Sequence, residues 1–147
     1  MTKVVVLFAV ILFTRLLSFA QPDSINRLES LLKLTKGDTI RINILNQLSD
    51  RYLAYQPLQA RKYAEEALTL SRTLNFSSGE VSALNILGDY EFRQSNYAQA
   101  VEYATQSLKL AEQHHDSIGM GMAYRVLGIS HTFGFRQGIY PTIGSKY

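Results

Sequence analysis

Hydrophobic and small residues along residues 40–133 recur in the same order with a period of about 39 to 40 residues. The segment LNQLSD at 45–50 resembles LNILGD at 84–89, and a third copy begins on the same spacing. Further matching positions are Tyr63 and Tyr103, Ala64 and Ala104, and Leu87-Gly88 and Leu127-Gly128. Because periods of this length are typical of stacked structural units, the chain is predicted to be an array of repeats.

Each period contains two stretches with the spacing of an amphipathic helix. The positions i, i+3, i+4, i+7 and i+8 of one stretch hold small and apolar residues, namely Ala60, Tyr63, Ala64, Ala67 and Leu68. This spacing places them on one face of an α-helix. Pro57 suits the first turn of that helix, where its missing N–H would have no partner. The pattern therefore predicts a pair of helices in each period.

Small residues on these stripes are expected to let neighbouring helices approach closely. Gly88 and Gly128 would each cost about 1 kcal/mol relative to alanine inside a helix, so close helix crossing is the predicted compensation at both. The residues predicted to pack the helices together are Ala60, Tyr63, Ala67, Leu87, Gly88, Tyr97, Ala100, Tyr103, Leu108, Leu127 and Gly128.

The patterns predict an all-α chain with a leader, a cap and a run of repeats. The predicted parts are a signal peptide at 1–20, a capping helix and linker at 21–38, repeats at 39–78 and 79–117, and an incomplete third repeat with an irregular tail at 118–147. Asp23 and Ser24 are predicted to cap a short helix at about 25–34, which would cover the first repeat.

The first twenty residues have the pattern of an export signal. Lys3 precedes an unbroken apolar run at 4–13, and Ser18 and Ala20 place small residues before a predicted cleavage site at Gln21. The run is shorter than the roughly 20 residues that span a bilayer as a helix. The protein is therefore predicted to be exported, as a periplasmic or secreted protein. Two alternatives stay open: an uncleaved anchor in the inner membrane, or a buried first helix.

Composition narrows the function classes. Of the 15 lysines and arginines, Lys3 and Arg15 fall in the leader, so 13 basic residues would face 12 acidic ones. A nearly neutral chain lacks the basic patch that binds nucleic acid. The absence of cysteine excludes disulfides, thiolate zinc sites and cysteine nucleophiles.

No residue pattern points to catalysis. His114 and His115 are adjacent, so on a helix they point about 100° apart and do not form the i, i+4 pair that binds zinc. Glu65 and Glu66 are predicted to belong to an ordinary charged face. The chain is therefore predicted not to be an enzyme and to use neither a metal nor another cofactor.

The second copy resembles the tetratricopeptide repeat (TPR) signature. The residues that carry the resemblance are Leu87-Gly88, Tyr97, Ala100, Tyr103, Ser107 and Leu108. Ser107 stands where alanine is usual, and in the first copy Ser49 replaces the glycine and Pro57 the tyrosine. The resemblance covers roughly residues 40–133. It implies a right-handed α-solenoid of antiparallel helix pairs, with about 2.5 repeats.

The resemblance also implies a function. The first helices of such repeats line a concave groove that binds a peptide or protein, which makes this chain an interaction scaffold. The groove positions carried over are Asn46, Asp50, Leu53, Asn85, Asp89, Phe92, Arg93, Arg125 and Ile129. Because Asp50 and Asp89 would repel a carboxylate, the partner is expected to place basic or polar side chains against both. The alternative is an N-terminal sensory segment of a larger membrane signalling protein, a histidine kinase or a transcription regulator.

The third copy departs from the pattern after residue 135. Pro141 and Gly144 oppose a long helix, so the third pair is predicted to lack its second helix. Ala123 and Leu127 would then be partly uncovered. Either the chain is a fragment of a longer one, or it self-associates through this face.

Overall fold

The computed structural model describes residues 22–138, and every regular element in that range is an α-helix. The helices are α1 (Pro22–Leu34), α2 (Thr39–Tyr52), α3 (Pro57–Thr73), α4 (Ser77–Arg93), α5 (Tyr97–Gln113) and α6 (Ser117–Arg136). The prediction of an all-α chain is confirmed. None of these helices is both long enough and apolar enough to cross a membrane. The predicted leader at 1–20 and the predicted irregular tail from residue 139 onward lie outside the described residues.

The first helix begins earlier than predicted. Since α1 starts at Pro22, the predicted start at about residue 25 lies inside the helix. The next cap is supplied by Asp38, whose carboxylate accepts a hydrogen bond from the Arg41 N–H at 2.9 Å. Residues 35–38 therefore end one helix and begin the next.

Helices that follow each other in the chain pack as neighbours, and α2 also contacts α4, as α4 contacts α6. The main core lies between α2, α3 and α4, where Ile42, Leu45, Leu84 and Leu87 are almost fully buried. A smaller cluster around Val126 joins α5 to α6. The helices α2, α4 and α6 consequently form one row, with α3 and α5 packed behind them.

The three turns after α3, α4 and α5 have the same geometry. Asn75, Ser95 and His115 have φ angles of 52°, 63° and 55°, in the left-handed region. The N–H of the next residue returns to a carbonyl five positions back, at 2.9 Å in all three turns. This is the Schellman arrangement, which ends a helix and satisfies its last carbonyls. Because the turns at 75, 95 and 115 have the same length and geometry, the helices that they connect follow one another at a regular interval along the chain.

Replacing Ser95 with glycine is expected to stabilise the protein by about 0.5 to 1 kcal/mol. Glycine adopts the left-handed conformation without the steric cost that an L-residue bears. The control is Gln94→Gly in the same turn, where φ is −82° and glycine brings only its flexibility, so stability should fall. Urea unfolding measures both; a loss of stability in the Ser95 variant would contradict the reasoning.

Most residues predicted to pack the helices lie in the core. Ala60, Ala67, Leu87, Tyr97 and Ala100 are buried. Tyr63, Tyr103, Leu108 and Leu127 are partly buried. Gly128 is exposed. Helix pairs therefore meet along the predicted stripes over the first two copies.

Of the two glycines predicted to permit close helix approach, Gly88 does so and Gly128 does not. A Cβ atom on Gly88 would lie 3.2 Å from Val126 Cγ1, which is tight, but one on Gly128 would meet nothing within 4 Å. The prediction for Gly128 was wrong, because no described helix packs on α6 in the way α5 packs on α4. The tightest positions are Gly79, 2.6 Å from Ile42 Cγ2, and Gly119, against Val81.

Candidate partner-binding groove

The exposed side of the row α2, α4 and α6 contains a groove with a pocket of about 370 Å³. Helix α2 supplies its first wall, with Asn43, Asn46, Gln47 and Asp50. The floor and the opposite wall come from Ser78, Ser82 and Ile86 of α4 and Met122 of α6. The groove thus joins residues that are distant in the sequence, on helices held in place by the buried core.

Two predicted groove residues are nearly buried and bind the backbone of the next helix. Asn46 and Asn85 are 6% and 2% exposed. Their side-chain amides donate to the backbone carbonyls of Gly79 and Gly119, at 3.0 and 3.1 Å. Each bond links one helix of the row to the next: α2 to α4, then α4 to α6. Both asparagines thus have a role within the fold that the sequence did not predict, although Asn46 also lines the pocket.

Asp89 is neutralised by two arginines. Its carboxylate lies 3.1 Å from Arg125 Nη1 and 3.9 Å from Arg93 Nη2. The Asp89 side chain is 13% exposed, whereas both arginine side chains are about half exposed. This part of the groove therefore presents net positive charge. Asp89 therefore does not offer the free negative charge on which the expectation of a basic partner residue there was based.

Asp50 is different, although it occupies the matching position of the first copy. It is exposed, and its carboxylate forms no hydrogen bond or ion pair within residues 22–138. The sequence prediction placed the two aspartates together as one acidic feature. The structure separates them, and Asp50 alone offers an unpaired negative charge to the groove.

Two further residues assigned to the groove pack against neighbouring aromatic and apolar side chains. Phe92 is partly buried, and its ring lies 5.5 Å from that of Phe133 and 5.7 Å from that of Tyr97. Leu53 is 5% exposed and belongs to the cluster around Tyr52. Both side chains stabilise helix contacts. Ile129 remains half-buried on α6.

Polar groups away from the groove mainly connect helices. Tyr52 donates to Glu29 Oε1 at 2.6 Å, and this bond, with burial, raises the pKa of Tyr52. Burial likewise raises the pKa of Tyr103. The buried Glu91 accepts from Asn96 at 2.7 Å and lies 3.7 Å from Arg61. No such contact needs a ligand to complete it.

The potential metal ligands in the described part of the chain do not form a metal site. Across residues 22–138, no group of three or more histidine or acidic side chains could hold a metal ion. His114 follows the end of α5, and His115 occupies the left-handed position of the turn. Glu65 and Glu66 pair with Arg61 and Arg41.

Comparison with known proteins gives no family assignment. The chain matches no protein-family model, and the search of curated proteins found no match.

Proposed function

We propose that this protein is an interaction scaffold of the TPR kind, which binds a peptide or protein segment along the groove of α2, α4 and α6. The observation that carries the proposal is the groove itself, because one continuous surface collects side chains from three helices. Its polar walls and apolar Ile86 and Met122 suit an extended peptide.

Two recurrent features support a repeat architecture for this scaffold. The bond from Asn46 to Gly79 is repeated by the bond from Asn85 to Gly119. The turns at 75, 95 and 115 also have one geometry. We therefore propose an α-solenoid of about 2.5 repeats, in which α1 caps the first repeat. The leader pattern at 1–20 further favours an exported protein.

Selection of a displayed library of random short peptides on the purified protein tests this function. We expect peptides that bind the wild type but bind the Ser82→Trp variant at least about tenfold more weakly, since loss of a buried contact surface commonly costs 1.4 kcal/mol or more. Ser82 lines the pocket, so a tryptophan there fills it.

The matched control is Gln106→Trp, at an exposed position of α5. This variant should bind the selected peptides like the wild type, and thermal unfolding should show that both variants are folded. Peptides that bind all three proteins equally would place binding outside the groove. A selection that enriches no peptide would contradict the proposed function.

A further inference from the structure

Asp50 and Asp89 stand at the same position of two copies, but their surroundings differ. Arg93 follows Asp89 by one helical turn, and Arg125 reaches its carboxylate from the next helix of the row. The residues at the same two places around Asp50 are Ala54 and Ile86. The first copy therefore keeps the carboxylate and lacks both of its counter-charges.

The consequence is an open space beside Asp50 in the groove pocket. We call this space the Asp50 pocket, and define it by Asp50, Ile86 and Met122. Around Asp89, the side chain of Arg125 occupies the space beside the carboxylate at 3.1 Å. At the matching place the shorter, apolar Ile86 is 7% exposed and forms part of the pocket floor. Met122 from α6 is 41% exposed and adds a second apolar contact surface.

An unpaired carboxylate beside an apolar floor suits a side chain with an apolar stem and a cationic end. Lysine and arginine have this form, since they bury their methylene groups along apolar surface while the charged end stays hydrated or paired. A hydrogen bond from a cationic donor to a carboxylate is also stronger than one between neutral groups. The exposed amides of Asn43 and Gln47 on the same wall can accept further hydrogen bonds from the cation.

We infer that the Asp50 pocket receives one lysine or arginine side chain of the bound peptide, with the cation on Asp50 and the stem on Ile86 and Met122. The inference rests on the proposed function and specifies its partner. The region of Asp89 does not bind a second basic side chain, because the two positive charges of Arg93 and Arg125 outweigh the single negative charge of Asp89. The peptide is therefore recognised through a single basic position.

The peptides selected on the wild type provide the test. We expect a lysine or arginine at one position, and its replacement by norleucine, which keeps the stem and removes the charge, should weaken binding about fivefold. With the Asp50→Asn variant the same replacement should change affinity by less than about twofold. Calorimetry at one fixed ionic strength measures both, since exposed ion pairs are screened by salt.

Two further variants separate the Asp50 pocket from general charge effects. Asp89→Asn is the matched control and should leave the fivefold effect of norleucine unchanged, because Asp89 is already paired. Ile86→Arg places beside Asp50 an arginine at the position that Arg125 has beside Asp89, and should remove the preference for a basic residue. Thermal unfolding checks that each variant is folded.

The outcomes distinguish this inference from the function on which it rests. Suppose that Ser82→Trp blocks the peptides, but that the norleucine replacement weakens their binding equally to the wild type and to Asp50→Asn. This result would overturn the inference and leave the proposed function standing. The same applies if the selected peptides contain no basic residue. Failure to obtain any groove-bound peptide would overturn both.

Discussion

Replacing Gly119 with alanine should destabilise the protein by about 2 kcal/mol, whereas the same change at Gly121 should stabilise it by up to about 1 kcal/mol. The two glycines lie two positions apart on the same helix, α6. A Cβ atom on Gly119 would overlap Val81 Cγ1 and lie 2.7 Å from Asp116 Oδ2. One on Gly121 would meet nothing within 4 Å.

The physical reason for the loss at Gly119 has two parts. Val81 is 1% exposed, so it has little freedom to move. Asp116 accepts a hydrogen bond from the Gly119 N–H at 2.9 Å and thereby caps α6, and loss of such a cap costs about 1 kcal/mol. Together these exceed the gain of about 1 kcal/mol that alanine brings to a helix.

Urea unfolding followed by far-ultraviolet circular dichroism measures both free energies. Because Gly121→Ala has the same chemistry on the same helix, the difference between the two variants isolates the crowding at Gly119. Equal stabilities would show that α4 and α6 do not approach closely at this point.

The sequence predicts the helices well because their signals are local. The stripe of small residues in α3 and Pro57 at its start determine a helix with little help from the rest of the chain. The turns are harder, since Ser95 and His115 adopt a left-handed conformation that is uncommon for any residue except glycine. Only the repetition of the Schellman bonds in the folded chain accounts for it.

Contacts across the row of helices could not be predicted in the same way. Gly79 and Gly119 recur at the repeat spacing as clearly as Gly88 and Gly128 do, and the spacing does not tell which of the four faces another helix. The same holds for Asp89, since its main partner Arg125 is on a different helix. A residue pattern gives the face of one helix, whereas a contact depends on what faces it.

The asparagines illustrate this limit most clearly. A polar residue on the first helix of a repeat is reasonably assigned to the groove, yet Asn46 and Asn85 bind backbone carbonyls of the following helix. Both carbonyls belong to the glycines that permit the closest approach, Gly79 and Gly119. The asparagine amide and the glycine carbonyl thus form a hydrogen bond that joins neighbouring helices. The spacing of residues in the sequence does not predict this bond.

Replacing Asn85 with aspartate should consequently cost about 3 kcal/mol at neutral pH, since an unpaired charge would be buried against the carbonyl of Gly119. Aspartate has nearly the shape of asparagine, so packing is kept and only the donor is lost. Its protonated form can still donate a hydrogen bond to that carbonyl. The loss should therefore depend on pH.

The sign follows from proton binding. Burial raises the pKa of the introduced carboxyl above its usual value of about 3.9, so the folded state binds the proton more tightly than the unfolded chain. Below about pH 4 both states are protonated, and the variant should approach the wild type in stability. As the pH rises, the unfolded chain ionises first, so the difference grows until the folded state ionises as well.

The measurement is the difference in unfolding free energy between variant and wild type from pH 3 to pH 8, because other acid effects are common to both proteins. Asn43→Asp is the control, since Asn43 is exposed on α2 and should change stability by less than about 0.5 kcal/mol at any pH. A pH-independent difference for Asn85→Asp would contradict the buried bond to Gly119. An aspartate that weakened peptide binding without destabilising the fold would return Asn85 to the groove surface.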